Sequence, residues 1–198
     1  MGDPKKNHAL IFGALCQAAI AFVGFSACDS TPDPRTTRGC MAYASAALED
    51  RAMNRFFRVI DERSRHALYS IHADRTAAAA AIEADYPQEL QEAALRALGP
   101  VGATSPAELF AERCGASCQQ EFAREIGAPM EEEVVGDELL VTTSRGQIRL
   151  YRDDEGSWWG IVWKREELDR ERDRAGQDLR QIEANSETYR RRQALQDN

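Results

Sequence analysis

The chain has 198 residues, a formal net charge of −8 and a hydrophobic fraction of 43%. This length accommodates one folded domain together with processing segments. The acidic balance argues against non-specific nucleic-acid binding, because that binding depends on neutralising phosphates with Lys and Arg side chains. We therefore expect no nucleic-acid partner.

Residues 1–27 have the pattern of a secretory signal peptide. Lys5 and Lys6 precede a continuous apolar run, residues 9–25, which small residues follow. A charged start, an apolar centre and small residues before a cleavage site are typical of such peptides. The run of 17 residues is also at the short limit of the roughly 17–25 that span a membrane, so an uncleaved anchor is the alternative.

The end of this segment resembles the lipobox of bacterial lipoproteins. That motif holds an aliphatic residue, a small residue, then Gly, Ala or Ser, and an invariant cysteine; here these places hold Phe25, Ser26, Ala27 and Cys28. Phe25 departs from the usual Leu. The resemblance implies that Cys28 receives diacylglycerol on its sulfur and becomes the acylated first residue, so that membrane lipid is a partner. A soluble product cut after Ser26 is the competing prediction.

Lipidation at Cys28 would hold the folded body in the cell envelope, facing the periplasm. Asp29 follows the cysteine, and in enterobacteria-like sorting this residue favours the inner membrane, with the outer membrane as the alternative. Residues 28–38 contain Pro32 and Pro34 and are predicted to form an extended tether.

Residues 39–164 are predicted to form a single domain of the α+β class, with its helices first. Apolar residues recur at three- to four-residue spacing over residues 39–127, which is the helical period. One helix is expected to end before Pro87, which cannot continue it. Ser105 and Pro106 are predicted to be the N-cap and first position of another helix, which extends to about residue 113.

After Pro129 the pattern changes to short apolar or β-branched runs, beginning with Val134-Val135, which are separated by turns of Gly, Asp and Ser. Such runs predict a three- to four-stranded antiparallel meander. The glutamates before the first run, residues 131–133, are expected to be a solvated run. Residues 165–198 are highly charged and are predicted to form a long helix, docked along one narrow face or bridging through solvent. Its apolar stripe repeats every seven residues: Leu168, Ala175, Ile182 and Tyr189.

Helices followed by a turn-linked sheet resemble the nuclear-transport-factor-like (SnoaL-like) cone fold. The resemblance covers roughly residues 40–164, and residues 154–159, Asp-Glu-Gly-Ser-Trp-Trp, are its best local piece. It implies a cone that can enclose a small ligand. It implies no particular activity, because one fold hosts enzymes and inert binders alike.

The predicted sheet carries an aromatic cluster of Tyr151, Trp158, Trp159 and Trp163. Aromatic rings on a sheet can line a ligand pocket. They can also pack against helices as part of the core, and period-two alternation would place Trp159 and Trp163 on one face. We favour core packing, with the ligand pocket as the alternative.

Cys114 and Cys118 lie on either side of a helix-breaking Gly115. In an oxidising compartment this spacing favours a local disulfide at the junction between two helices. Cys40 could instead pair with one of them, or remain buried and free. A zinc site is not expected, because two cysteines lack the two further ligands that zinc requires.

No group of residues in the chain has the spacing of a catalytic motif: there is no Gly-rich phosphate loop, no Ser elbow and no HExxH. His66 and His72 are six residues apart and do not share a helix face. We therefore expect no catalytic residue, cofactor or metal site.

The hypothesis is a non-enzymatic interaction or envelope-structure module, with an envelope protein as its partner. The alternative is a cone-fold small-ligand binder, or an isomerase- or hydrolase-like enzyme, with a pocket beside the tryptophan-bearing sheet. The sequence does not determine the oligomeric state.

Overall fold

The computed structural model describes residues 33–99, 101–153, 156 and 159–196. The predicted signal peptide, Cys28 and Trp158 lie outside this part of the chain. Over the described residues the order is helices, an antiparallel sheet, and a long final helix, so the predicted α+β class is confirmed.

Within the described ranges five helices come first, and a 3₁₀ turn at Phe57–Val59 continues the second of them. The helices are α1 (Thr37–Glu49), α2 (Met53–Phe56), α3 (Glu62–Asp85), α4 (Gln88–Leu98) and α5 (Pro106–Glu125). The sheet and the final helix follow: β1 (Pro129–Val135), β2 (Glu138–Thr143), β3 (Gln147–Arg152), β4 (Trp159–Ile161) and α6 (Arg165–Gln196).

Side-chain caps set the starts of three helices. Thr36 accepts a hydrogen bond from the Gly39 amide at α1, and Asp61 accepts one from the Ser64 amide at α3. Ser105 caps α5, as predicted, and Pro106 occupies its first turn. These oxygens satisfy amide groups that have no partner within the helix.

Helix α5 extends further than predicted, to Glu125 rather than to about Arg113. It contains a kink at Gly115, whose φ of 52° and ψ of −168° are not helical. Glycine tolerates this left-handed backbone because it has no Cβ. The helical period resumes after the kink, which explains why the predicted end came too early.

The four strands form one sheet in the order β1-β2-β3-β4, with every neighbouring pair antiparallel. Leu139 pairs with Leu150, which in turn pairs with Ile161, and all three are buried. Their face of the sheet, here called the inner face, packs against the helices. The other face, here called the outer face, carries Leu140 and Tyr151.

The core lies between the inner face and helices α1, α2 and α5. Phe110 of α5 is central to it, with its ring 4.8 Å from Trp163 and 5.6 Å from Phe57 between centroids. Phe56 packs 4.6 Å from Phe122 in the same cluster. These rings bury a large apolar area, and the Phe110–Trp163 pair also has the favourable edge-to-face geometry.

The final helix α6 docks along α3. Of the two predicted arrangements, docking along one narrow face and bridging through solvent, the structure has the first. Leu168 and Ala175 of the seven-residue stripe are buried, and Ser186 is buried as well. Small residues on both helices, such as Ala78 of α3, allow the backbones to approach closely. A second, smaller apolar cluster forms where Tyr86 meets this helix pair.

Among the described helices, none has a stretch long and apolar enough to cross a membrane. Ile60 forms an isolated parallel bridge with Ile161, so the segment before α3 extends the sheet at a single position next to β4. The Asp61 amide donates to the Ile161 carbonyl at 3.0 Å. The start of α3 is therefore attached to the sheet.

Gly160→Ala is expected to destabilise the fold, because a Cβ there would lie 2.4 Å from the Cα of Asp61. Backbone cannot yield as a flexible side chain would, so we expect the free energy of unfolding to fall by at least about 2 kcal/mol. Urea denaturation followed by circular dichroism measures this change. Gly102→Ala is the matched control, since its Cβ would meet nothing within 4 Å. Equal stability of the two variants would contradict the prediction.

Candidate functional site

Asp61 is the most deeply buried charged residue in the described part of the chain, with 1% of its surface exposed. One carboxylate oxygen accepts from the Ser64 amide at 3.1 Å and from the Arg165 guanidinium at 2.9 Å. The other accepts from the Ser64 hydroxyl at 2.5 Å and the Trp163 amide at 3.4 Å. A buried carboxylate needs this degree of hydrogen bonding to remain charged.

Arg165 connects this carboxylate to the sheet. Its Nη1 lies 3.0 Å from a carboxylate oxygen of Glu138 on β2, and its guanidinium lies 4.1 Å from the ring centroid of Tyr151 on β3. One side chain thus joins the first turn of α3, two strands and the start of α6. Guanidinium is suited to this because it donates in a fixed plane and also stacks on aromatic rings.

The arrangement around Asp61 is that of a structural clamp. Each carboxylate oxygen already accepts two hydrogen bonds, which leaves little capacity to take a proton from a substrate. The sequence pattern alone did not indicate this site. An Asp three residues before Ser64 is a recognisable helix-cap pattern, but its partner Arg165 lies 104 residues away.

A second ionic cluster joins three helices. Glu171 of α6 lies between Arg75 of α3 and Arg113 of α5, with nitrogen–oxygen distances of 2.7 Å to Arg75 and 2.5 Å to both terminal nitrogens of Arg113. The paired contact to Arg113 is the geometry that arginine makes best with a carboxylate. All three side chains are mostly buried, so this cluster also serves packing.

The predicted aromatic cluster is divided between the two faces of the sheet. Trp163 is buried in the core, and Trp159 is half-buried on the same inner face. Tyr151 follows Leu150 on β3 and therefore lies on the outer face, where it contacts Arg165. Trp158 lies outside the described residues. The three described rings therefore do not share one face of the sheet.

The cysteines have two different environments. Cys114 and Cys118 form a disulfide across the Gly115 kink, which confirms the prediction. Cys40 is free and buried, and its thiol donates to the Trp159 carbonyl at 3.4 Å. Burial raises the pKa of the Cys40 thiol to about 12. It is therefore protonated at neutral pH and is not an activated nucleophile.

His66 and His72 line separate surface pockets, His66 together with Arg165 and His72 together with Arg75. His66 is exposed next to Glu62, and His72 contacts the Ala103 carbonyl at 3.0 Å. Within the described residues, no group of three or more His, Cys, Asp or Glu side chains has the arrangement of a metal site.

A surface cleft of about 680 Å³ lies between α1 and the end of α5. Met41, Leu48 and Ile126 contribute apolar wall, and Arg145 lies at its margin while donating to the Ala123 carbonyl. The cleft can accept an apolar side chain. It contains no acid–base pair with the geometry of a catalytic site.

Strand β1 is the least covered element of the sheet. Every residue from Met130 to Val135 is exposed, including Met130 at 69% and Val134 at 77%. Val134 lies opposite Leu139 and is therefore on the inner face, but the helical layer does not reach it. The sequence pattern predicted strand residues at Val134 and Val135 and a solvated run at the three glutamates before them. The structure places all five residues in β1.

Comparison with known proteins gave no matching family model, no matching curated protein and no matching solved structure. The site must therefore be interpreted from its own geometry.

Asp61→Asn is expected to lower the free energy of unfolding by about 3 kcal/mol, because it leaves the buried Arg165 charge without its main partner. Thermal and urea denaturation measure the loss. Glu92→Gln is the matched control: it removes an equally charged group from the exposed pair with Arg96, which contributes little. If Asp61→Asn were as stable as the control, the clamp would not stabilise the fold.

Proposed function

We propose that this chain is a lipid-anchored protein of the cell envelope, which faces the periplasm and acts as a non-enzymatic interaction module. The anchoring part is supported by the N-terminal segment, in which an apolar run leads to Ser26-Ala27-Cys28. Two or three acyl chains on Cys28 would hold the protein stably at a bilayer. Asp29 favours the inner membrane, and the outer membrane is the alternative.

The interaction part is carried by one observation, the exposure of strand β1. Met130, Val134 and Val135 are among the large apolar side chains that the described residues expose, and they occupy one strand at the border of the sheet. Val134 is on the inner face and Val135 on the outer face, so both sides of this open edge offer apolar contacts to a partner strand. A long open edge is otherwise a hazard for aggregation.

The ligand-pocket alternative has less support from the geometry. A pocket beside the tryptophans requires space and an available ionisable group. Instead Trp163 packs against Phe110, and the carboxylate of Asp61 behind it is held by four donors. The resemblance to the cone fold remains a prediction about shape.

Cys28→Ala is expected to abolish acylation and to move the protein from the membrane fraction to the soluble fraction or to leave it unprocessed. Intact mass spectrometry of the purified protein should show a first residue at Cys28 with two or three acyl chains, and the variant should lack that added mass. Cys16→Ala, within the segment to be removed, is the matched control and should leave the mature mass unchanged. A native protein that begins elsewhere, or carries no acyl chain, contradicts the proposal.

A photo-crosslinking residue at Val134 is expected to give a discrete adduct with another envelope protein in living cells, because this side chain lies on the exposed strand. The same residue at Leu195, which is 80% exposed near the end of α6, is the control. Immunoblotting of the adducts measures the difference. Identical adducts at the two positions, or none at Val134, would count against strand β1 as an interaction surface.

A further inference from the structure

We infer that strand β1 is the docking edge for an extended, positively charged segment of a partner protein, which adds to the sheet as a fifth strand. The inference rests on the proposed function and names the chemistry of its partner. Three features of β1 lead to it: its free backbone groups, the order of its side chains and its unpaired negative charge.

The backbone of β1 is available on one side. Among the described residues β1 pairs only with β2, along a register that runs from Pro129 opposite Thr143 to Val135 opposite Glu138. A strand with one neighbour directs alternate N–H and C=O groups outwards. A stretch of seven residues is long enough for a peptide to form a ladder, as in other cases of β-strand addition.

The side chains of β1 alternate between the two faces of the sheet. Glu131 and Glu133 lie opposite Thr142 and Leu140, on the outer face. Glu132 and Val134 lie opposite Val141 and Leu139, on the inner face. An added strand would place its own side chains beside these in the same alternation.

The charge of β1 determines which side chains fit. Among the described residues none forms an ion pair with Glu131, Glu132 or Glu133, whereas Glu138 of the neighbouring strand is paired with Arg149 and Arg165. Opposite charges directly across a sheet stabilise the pairing. The fitting segment therefore has consecutive Lys or Arg residues opposite these glutamates, and apolar side chains opposite Val134 and Val135.

A second copy of this chain is disfavoured at the same edge in the register that overlaps the glutamates. Antiparallel pairing of two β1 strands about Glu132 would place Glu131 of each copy opposite Glu133 of the other, and Glu132 opposite itself. Like charges directly opposite are destabilising. The glutamates thus protect the edge against self-pairing, whereas a basic strand would form favourable charge pairs with them.

The test uses the full chain purified in detergent and a labelled seven-residue peptide, blocked at both ends, with the sequence Val-Val-Lys-Lys-Lys-Val-Val. This Lys–Val peptide places its three Lys residues opposite Glu131, Glu132 and Glu133. Fluorescence anisotropy should show saturable binding that weakens as salt is added. A peptide in which Glu replaces Lys should not bind. The Lys–Val peptide with alternate amides N-methylated keeps its charge but loses one hydrogen-bonding edge, and should bind at least about tenfold more weakly.

Charge-reversed variants locate the binding edge. Glu131→Lys with Glu133→Lys should weaken the Lys–Val peptide at least about tenfold, because two attractive pairs become repulsive. Glu83→Lys with Glu121→Lys changes the same charge at exposed positions on α3 and α5, and should have less than about a twofold effect at moderate salt. Glu131→Gln with Glu133→Gln provides a milder variant if charge reversal impairs folding. Hydrogen exchange of the β1 amides should slow when the peptide binds.

Four outcomes would overturn the inference. They are no binding at about 1 mM peptide, equal weakening in the two charge-reversed variants, no effect of N-methylation, and dimerisation of the chain through β1. Peptide binding by a chain that is not acylated would leave this inference standing while the proposed anchoring fails. Acylation without peptide binding would support the proposed anchoring and overturn this inference.

Discussion

The buried pair of Asp61 and Arg165 is the constraint on which the rest of the fold depends. A carboxylate that is 1% exposed must be matched by donors, and here they come from the first turn of α3, from the segment after β4 and from the first residue of α6. Because a buried charge is costly when unpaired, these three segments have little freedom to separate. The clamp therefore fixes where α6 starts relative to the sheet.

The position of α6 also determines how α3 and α5 are joined. Starting at the clamp, α6 runs along α3 and brings Glu171 between Arg75 and Arg113, which ties α5 to the same helix pair. In the sheet, the inner-face residues Leu139, Leu150 and Ile161 of β2, β3 and β4 are buried in the core, whereas β1 is exposed from Met130 to Val135. Strand β1 also has a neighbour on one side only among the described strands, so the surface proposed for interaction is on this side.

Local signals predicted much of the fold. Ser105 and Pro106 identified the start of α5, Pro87 the end of α3, and the spacing of Cys114 and Cys118 their disulfide, since each signal acts within a few residues. The candidate site was harder to predict from the sequence. The clamp joins residues 104 apart, and the glutamates of β1 concealed a strand, because their pattern alone resembles a solvated loop.

By itself the sequence determined the α+β class and the order of helices, sheet and final helix, favoured the Cys114–Cys118 disulfide, and predicted the address in residues 25–28. Only the tertiary structure decided which partners meet Asp61 and Glu171, how the aromatic residues divide between the two faces, and which strand is left uncovered. The physical reason is range: caps, turns and periodicity depend on neighbours along the chain, whereas burial and ion pairing depend on residues that only folding brings together.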